Sequence, residues 1–189
     1  MNGPRDLRVG FEIRRELASA NRVDILVSFL KSNGVRIIRD ELADFCGRRP
    51  SQLRVLTTTY MNATEHEAIE RLLDLGAKVR VSYDGRATRL HAKAWLFHRD
   101  SGFSTGLVGS SNLSPSAMLD GREWNVRLSS VDNRTILDKL VTTFEQYWSD
   151  TDAFEDYDRE RFLEETKRPR SVALDALAQA VALRPYPHQ

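Results

Sequence analysis

A chain of 189 residues, 41% hydrophobic and 29% charged, is long enough for one sizeable core. Its formal net charge of +1 provides no global attraction for a polyanion, so any affinity for phosphate must come from a local patch. The single cysteine, Cys46, excludes a disulfide framework and a cysteine-based metal cluster, and no apolar stretch is long enough to span a bilayer, which makes a cytoplasmic location the default expectation.

In chain order, Asp6 to Ala20 has helical spacing with Val9, Ile13 and Leu17 on one side, and Val23 to Leu30 is a β-rich apolar strand. Gly34 to Phe45 reads as a helix and Leu53 to Thr59 as a strand. Thr64 to Leu75 reads as a helix with Thr64 and Glu67 in capping-box positions and Gly76 as its stop. Val79 to Tyr83 is a strand. His91 to His98 is another, and its period of two places His91 and Lys93 on one face, with Trp95 and Phe97 continuing that face as core residues. Ser104 to Val108 is followed by the turn Gly109-Ser110-Ser111-Asn112, and Ser114-Pro115 has the form of an N-cap with proline at the first helical position. Glu123 to Leu128 is the last strand of the series. Asp132 to Trp148 is a helix with Ile136, Leu140 and Phe144 as its core side. This alternation predicts an α/β fold, an α/β/α sandwich in which helices cover both faces of a central mixed sheet.

After Trp148 the character changes. Ser149 to Arg170 is acidic and then basic, with Phe154, Tyr157, Phe162 and Leu163 as scattered anchors, and Lys167 to Arg170 reads as a hinge. Ser171 to Leu183 is an alanine-rich helix, the end of a C-terminal helical appendage.

The chemistry gathers between His91 and Glu123. A phosphodiester is an anion, and an attacking group must meet it where its non-bridging oxygens are already neutralised. Lys93 and the Asn112 amide supply donors for such oxygens, and Ser110 adds a hydroxyl. An imidazole with an ordinary pKa of roughly 6.5 is largely neutral at pH 7, so His91 is a competent nucleophile toward phosphorus. Its second nitrogen needs an acceptor, and Glu123 is the candidate, unless it is a solvated carboxylate at a strand start. Lys31, Arg36, Arg86 and Arg89 are candidates for gripping a nucleic-acid backbone, or ordinary surface cations. Ser28 and Thr57 to Thr59 are candidates for the mouth of the cleft. His66, His98 and His188 are too scattered for a metal triad, and neither metal nor cofactor is expected.

The ordered set His91-x-Lys93, Gly109-Ser110-x-Asn112 and downstream Glu123 resembles the phospholipase D superfamily, and within it the single-motif, metal-independent nucleases. The resemblance implies that His91 forms a covalent phosphohistidine, that Lys93 and Asn112 bind the phosphate, and that Glu123 supports the histidine. It also implies the α/β/α fold over residues 1–150. One position departs from the family pattern: the longer motif has aspartate five places after the lysine, where this chain has His98, with Asp100 two places on. That departure weakens a lipase reading more than a nuclease one.

The motif occurs once, whereas the family's chemistry uses two histidines, so a homodimer with one composite active site is expected. The last residues, Leu183 to Gln189, resemble the segment that opens superfamily 2 helicases. That implies a longer, ATP-binding protein in which 1–150 is the nuclease-like domain, 151–183 a helical linker, and 184–189 the start of a helicase domain in cis; a proline-rich terminus without a ligand is the alternative. The expected function is metal-independent cleavage of DNA. The alternatives are a non-catalytic DNA-binding or dimerisation module and a lipid phosphodiesterase, the latter disfavoured by the lack of a membrane-binding amphipathic stretch.

Overall fold

A computed structural model describes residues 9–83, 90–119 and 121–167 of the protein. Seven strands form one mixed sheet: β1 (Arg22–Val27), β2 (Leu53–Thr58), β3 (Lys78–Ser82), β4 (Lys93–His98), β5 (Thr105–Gly109), β6 (Asn125–Ser129) and β7 (Glu155–Asp156), in the order β6-β5-β4-β1-β2-β3-β7. β1, β2 and β3 are parallel and linked through helices, while β4, β5, β6 and β7 each join an antiparallel neighbour. The most apolar strand, β1, lies in the centre, because only a strand flanked on both edges and covered on both faces buries such a run.

Alternation along the strands divides the core in two. Val23, Ile25, Val55, Val81, Trp95 and Phe97 face a layer made of α1 (Val9–Ser19), α2 (Ser32–Ile37), α3 (Arg39–Arg48), α4 (His66–Asp74), α5 (Pro115–Leu119) and α7 (Arg159–Lys167). Trp95 and Phe97 stack at 6.0 Å inside that core, as expected. Leu26, Leu56, Ala94 and Leu96 face α6 (Arg134–Ser149) on the other side. The sandwich is therefore α/β/α but asymmetric.

Three local expectations are corrected. The helix expected over Gly34 to Phe45 is two helices, broken at Ile38, where φ of −116° and ψ of 21° leave the helical basin. The β-branched pair Ile37-Ile38 favours a break, and full burial of the Ile38 side chain fixes the corner. No capping box forms: Thr64 donates its hydroxyl to the Ser28 carbonyl at 3.2 Å, and α4 starts at His66 without a side-chain cap. Tertiary partners have displaced the local one. In α6 the inward residues are Leu137 and Phe144, whereas Ile136 is 54% exposed. Leu140 packs against the same core as expected, so only the first turn differs, and Phe144 and Trp148, stacked at 6.0 Å, both lie 5.0 Å from the Arg54 guanidinium.

Downstream of α6 the chain returns to the sheet. β7 pairs with β3, and Phe154 and Phe162 are buried in the two cores. The helix expected over 171–183 and the segment 184–189 lie outside the described residues.

The register decides where chemistry can occur. Val27 pairs with Lys93, Ala94 with Val108, and Gly109 with Asn125. The end of β1, the start of β4, the end of β5 and the start of β6 thus share one edge of the sheet. His91, Asn112 and Glu123 lie in the loops at that edge.

Candidate active site

β4 begins at Lys93, so His91 and Ala92 precede the strand and are exposed. The expected common face is replaced by a step: Lys93 is pulled inside at 6% exposure while His91 stays at the mouth. The Lys93 ammonium donates to the His91 carbonyl at 2.9 Å and sits 5.8 Å from the Phe29 ring centroid. Burial pushes its pKa down, and the negative charge of Glu123 acts in the opposite direction. Lysine and glutamate are therefore electrostatically coupled across the site.

Asn112 is oriented by the backbone of β1's continuation. The Phe29 N–H donates to Asn112 Oδ1 at 3.1 Å, so the carboxamide presents its oxygen to the protein and leaves its NH₂ group without a hydrogen-bond partner among the described residues. The turn carrying it is clamped from several sides. Lys31 N–H donates to the Leu113 carbonyl at 2.9 Å, and Asn125 Nδ2 donates to the buried Ser111 hydroxyl at 2.8 Å. Gly34 of α2 lies so close that a Cβ there would overlap the Leu113 backbone.

Ser110 and Glu123 come together. The Ser110 hydroxyl donates to Glu123 Oε2 and accepts the Trp124 N–H at 3.0 Å, while the Ser110 N–H donates to the Trp124 carbonyl at 2.9 Å. With its one proton engaged, Ser110 holds the glutamate and is not an available donor to a phosphate. No hydrogen bond joins Glu123 to His91 among the described residues; the carboxylate is shared between Ser110 and the field of Lys93.

The β5–β6 approach depends on Gly109, where a Cβ would collide with the Trp124 carbonyl and the Asn125 Cα. Gly109→Ala is expected to force β6 away and separate Glu123 from Ser110, at about 1–3 kcal/mol. Thermal unfolding against wild type measures it. An unshifted midpoint would mean that the edge strand has slack.

Of the other candidates, Lys31 pairs with Glu65 at 3.2 Å, and Arg36 lines a small cavity with Val35, Arg39 and Arg71. Arg86 and Arg89 lie outside the described residues. Thr57, Thr58 and Thr59 are buried and bond Thr64, the Ser82 carbonyl and the Tyr83 carbonyl, so they do not line the mouth. Ser28, also buried, donates to the Ala92 carbonyl at 3.3 Å, beneath the His91-x-Lys93 segment. His98 is at the far end of β4, against Asp24 at 2.7 Å. Phe29 carries no motif and sequence reasoning passed over it; its place at the end of the central strand was the available signal.

Fold and site together define a phospholipase D-like domain, and the chain belongs to that family: residues 13–148, which include His91, Lys93, Asn112 and Glu123, match the family described as "Cardiolipin synthase, PLD-like domain". Among solved structures it is similar to NucT from Helicobacter pylori, at 18% identity and a TM-score of 0.56, over 77% of this chain and 89% of that one. It is also similar to a polyphosphate kinase from Porphyromonas gingivalis, at 16% identity and a TM-score of 0.50, over 72% of this chain and 23% of that one. At such identities the likeness concerns the fold. No curated protein matches the sequence. Among the described residues, no helix is long and apolar enough to cross a membrane.

Proposed function

We propose that this domain hydrolyses phosphodiesters of DNA without a metal, using His91 as nucleophile at the interface of a two-fold homodimer. In this reading an unprotonated His91 nitrogen attacks phosphorus, a P–N bond forms, and the P–O bond to the leaving strand breaks. His91 of the second copy protonates the departing oxygen, then takes a proton from the water that attacks phosphorus and breaks the P–N bond. Lys93 and the Asn112 NH₂ hold the non-bridging oxygens as charge builds. Glu123, kept in place by Ser110, balances the charge of Lys93 and is available to the imidazole.

The observation that carries this reading is the convergence of three roles on one sheet edge: an exposed imidazole, a buried ammonium, and a carboxamide whose oxygen is tied back while its NH₂ has no partner among the described residues. Residues 151–167, expected as the start of a linker, instead pack into the domain through β7 and α7; we further propose that the nuclease-like domain runs to that helix and that residues 184–189 open a helicase domain.

The chain is expected to cut DNA in excess EDTA, where metal catalysis would stop, and to sediment at twice its own mass. Preferential hydrolysis of phosphatidylcholine would transfer the activity to lipids. DNA binding without cleavage would leave a binding module, and full activity as a monomer would remove the composite site.

A further inference from the structure

One two-residue segment touches three of the candidate residues, His91, Lys93 and Asn112. Ser28 reaches the Ala92 carbonyl, between His91 and Lys93, and the Phe29 N–H reaches Asn112 Oδ1. The Phe29 ring lies 6.3 Å from the His91 ring at an interplanar angle of 74°, an edge-to-face contact, and the same ring is 5.8 Å from the Lys93 ammonium. Phe29 is held on both sides by fully buried neighbours, since Ser28 and Leu30 have 0% exposure and Leu30 bridges to Leu113. Its backbone is thus fixed while its ring is only partly covered.

An imidazole in an exposed loop samples several rotamers, and only one points a nitrogen in line with a scissile bond. The Phe29 ring is its one aromatic contact among the described residues and restricts that choice. We infer that Phe29 is a positioning residue of this site: its ring seats the His91 imidazole and faces the Lys93 ammonium, while its amide aims the Asn112 carboxamide. The inference rests on His91 being the nucleophile, as proposed above. Ring and amide are separable, because alanine at position 29 removes the first and keeps the second.

The test compares wild type, F29A, F29Y and H91A in the full 189-residue chain, on a DNA oligonucleotide in EDTA, together with the carbon-bound ring signals of His91 by NMR. F29A is expected to lower kcat on the order of 10²-fold, the penalty of a misplaced reacting group, with KM within about threefold. F29Y, which keeps the ring edge, should recover kcat to within about threefold of wild type by the same argument. In F29A the His91 ring signals should lose their ring-current offset, while the Asn112 side-chain amide signals stay in place. Wild-type kcat and unmoved His91 signals in F29A would overturn the inference, as would a general loss of folding that F29Y fails to rescue. An H91A chain that still cuts would instead remove the nucleophile reading, whereas an inert H91A beside an unaffected F29A removes only this inference. If wild type cuts nothing, the widths of the His91 signals decide alone: exchange broadening in F29A that F29Y abolishes supports the positioning, and equally sharp lines in wild type, F29A and F29Y overturn it.

Discussion

Replacing His91 by alanine is expected to abolish EDTA-resistant cleavage, a loss on the order of 10⁴-fold or more, as for other enzymes deprived of their nucleophile. The fold should hardly notice. His91 is exposed and precedes β4, and surface substitutions of that kind change stability by about 0.5 kcal/mol or less. DNA affinity should also persist, since Lys93 and Asn112 remain. Lys93→Ala is a less informative variant: its side chain is buried, so stability and activity would fall together. Cleavage assays and thermal unfolding of His91→Ala check both halves. Retention of more than a few per cent of wild-type activity would mean that another group attacks phosphorus.

The largest effect on stability is expected at Asp24, which has nothing to do with the chemistry. Its carboxylate is 1% exposed and bonds Arg54 Nε at 2.7 Å, Arg54 Nη2 at 2.9 Å and His98 Nε2 at 2.7 Å. Arg54 also holds Glu145 of α6 at 2.7 Å and packs against the stacked rings of Phe144 and Trp148. Asp24→Ala leaves a guanidinium with 12% exposure without its main partner, so a loss of about 3–5 kcal/mol is expected from urea unfolding. A loss below about 1 kcal/mol, the surface-pair range, would mean that water or Glu145 alone satisfies Arg54.

The same network predicts an acid limb. Burial works to raise the Asp24 pKa, but hydrogen bonds from His98 and Arg54 outweigh it and hold the carboxyl below its ordinary value. Glu16 behaves alike: burial raises it, and bonds from Thr105, Arg99 and Arg127 bring it below the usual glutamate value. For groups lowered on folding, the stabilisation is fully present above the unfolded value, near ~4, and is lost as pH falls through the folded value. Wild type should therefore lose stability progressively below about pH 4, and Asp24→Ala should show a shallower decline over that window.

Much of the fold was legible because it is written in local periods. The alternation in His91 to His98 placed Trp95 and Phe97 correctly in the core, and the apolar run from Val23 was read correctly as a strand. What failed were choices between two apolar phases. In α6 the expected Leu140 and Phe144 do face the core, but its first turn is carried by Leu137 rather than its apolar neighbour Ile136. At the Ile38 break and the missing Thr64 cap, each local preference met a stronger tertiary partner.

The candidate residues were picked out by their resemblance to a family motif, and the fold brings His91, Lys93, Asn112 and Glu123 to one end of the strands. The wiring among them was not legible in the sequence. Ser110 bonds Glu123 rather than standing ready for a ligand, and Phe29, from a segment without motif, orients Asn112 and contacts His91. Hydrogen bonds between residues 13 and 83 positions apart leave no periodic trace in the chain.

The most direct measurement of the central claim is a single-turnover reaction of the chain with a DNA oligonucleotide in EDTA, quenched in alkali and mapped by mass spectrometry. A phosphoramidate adduct on His91, formed and lost at rates that account for turnover and absent in His91→Ala, is the predicted result. Cleavage that proceeds with no adduct, or with the adduct on a different residue, would contradict it.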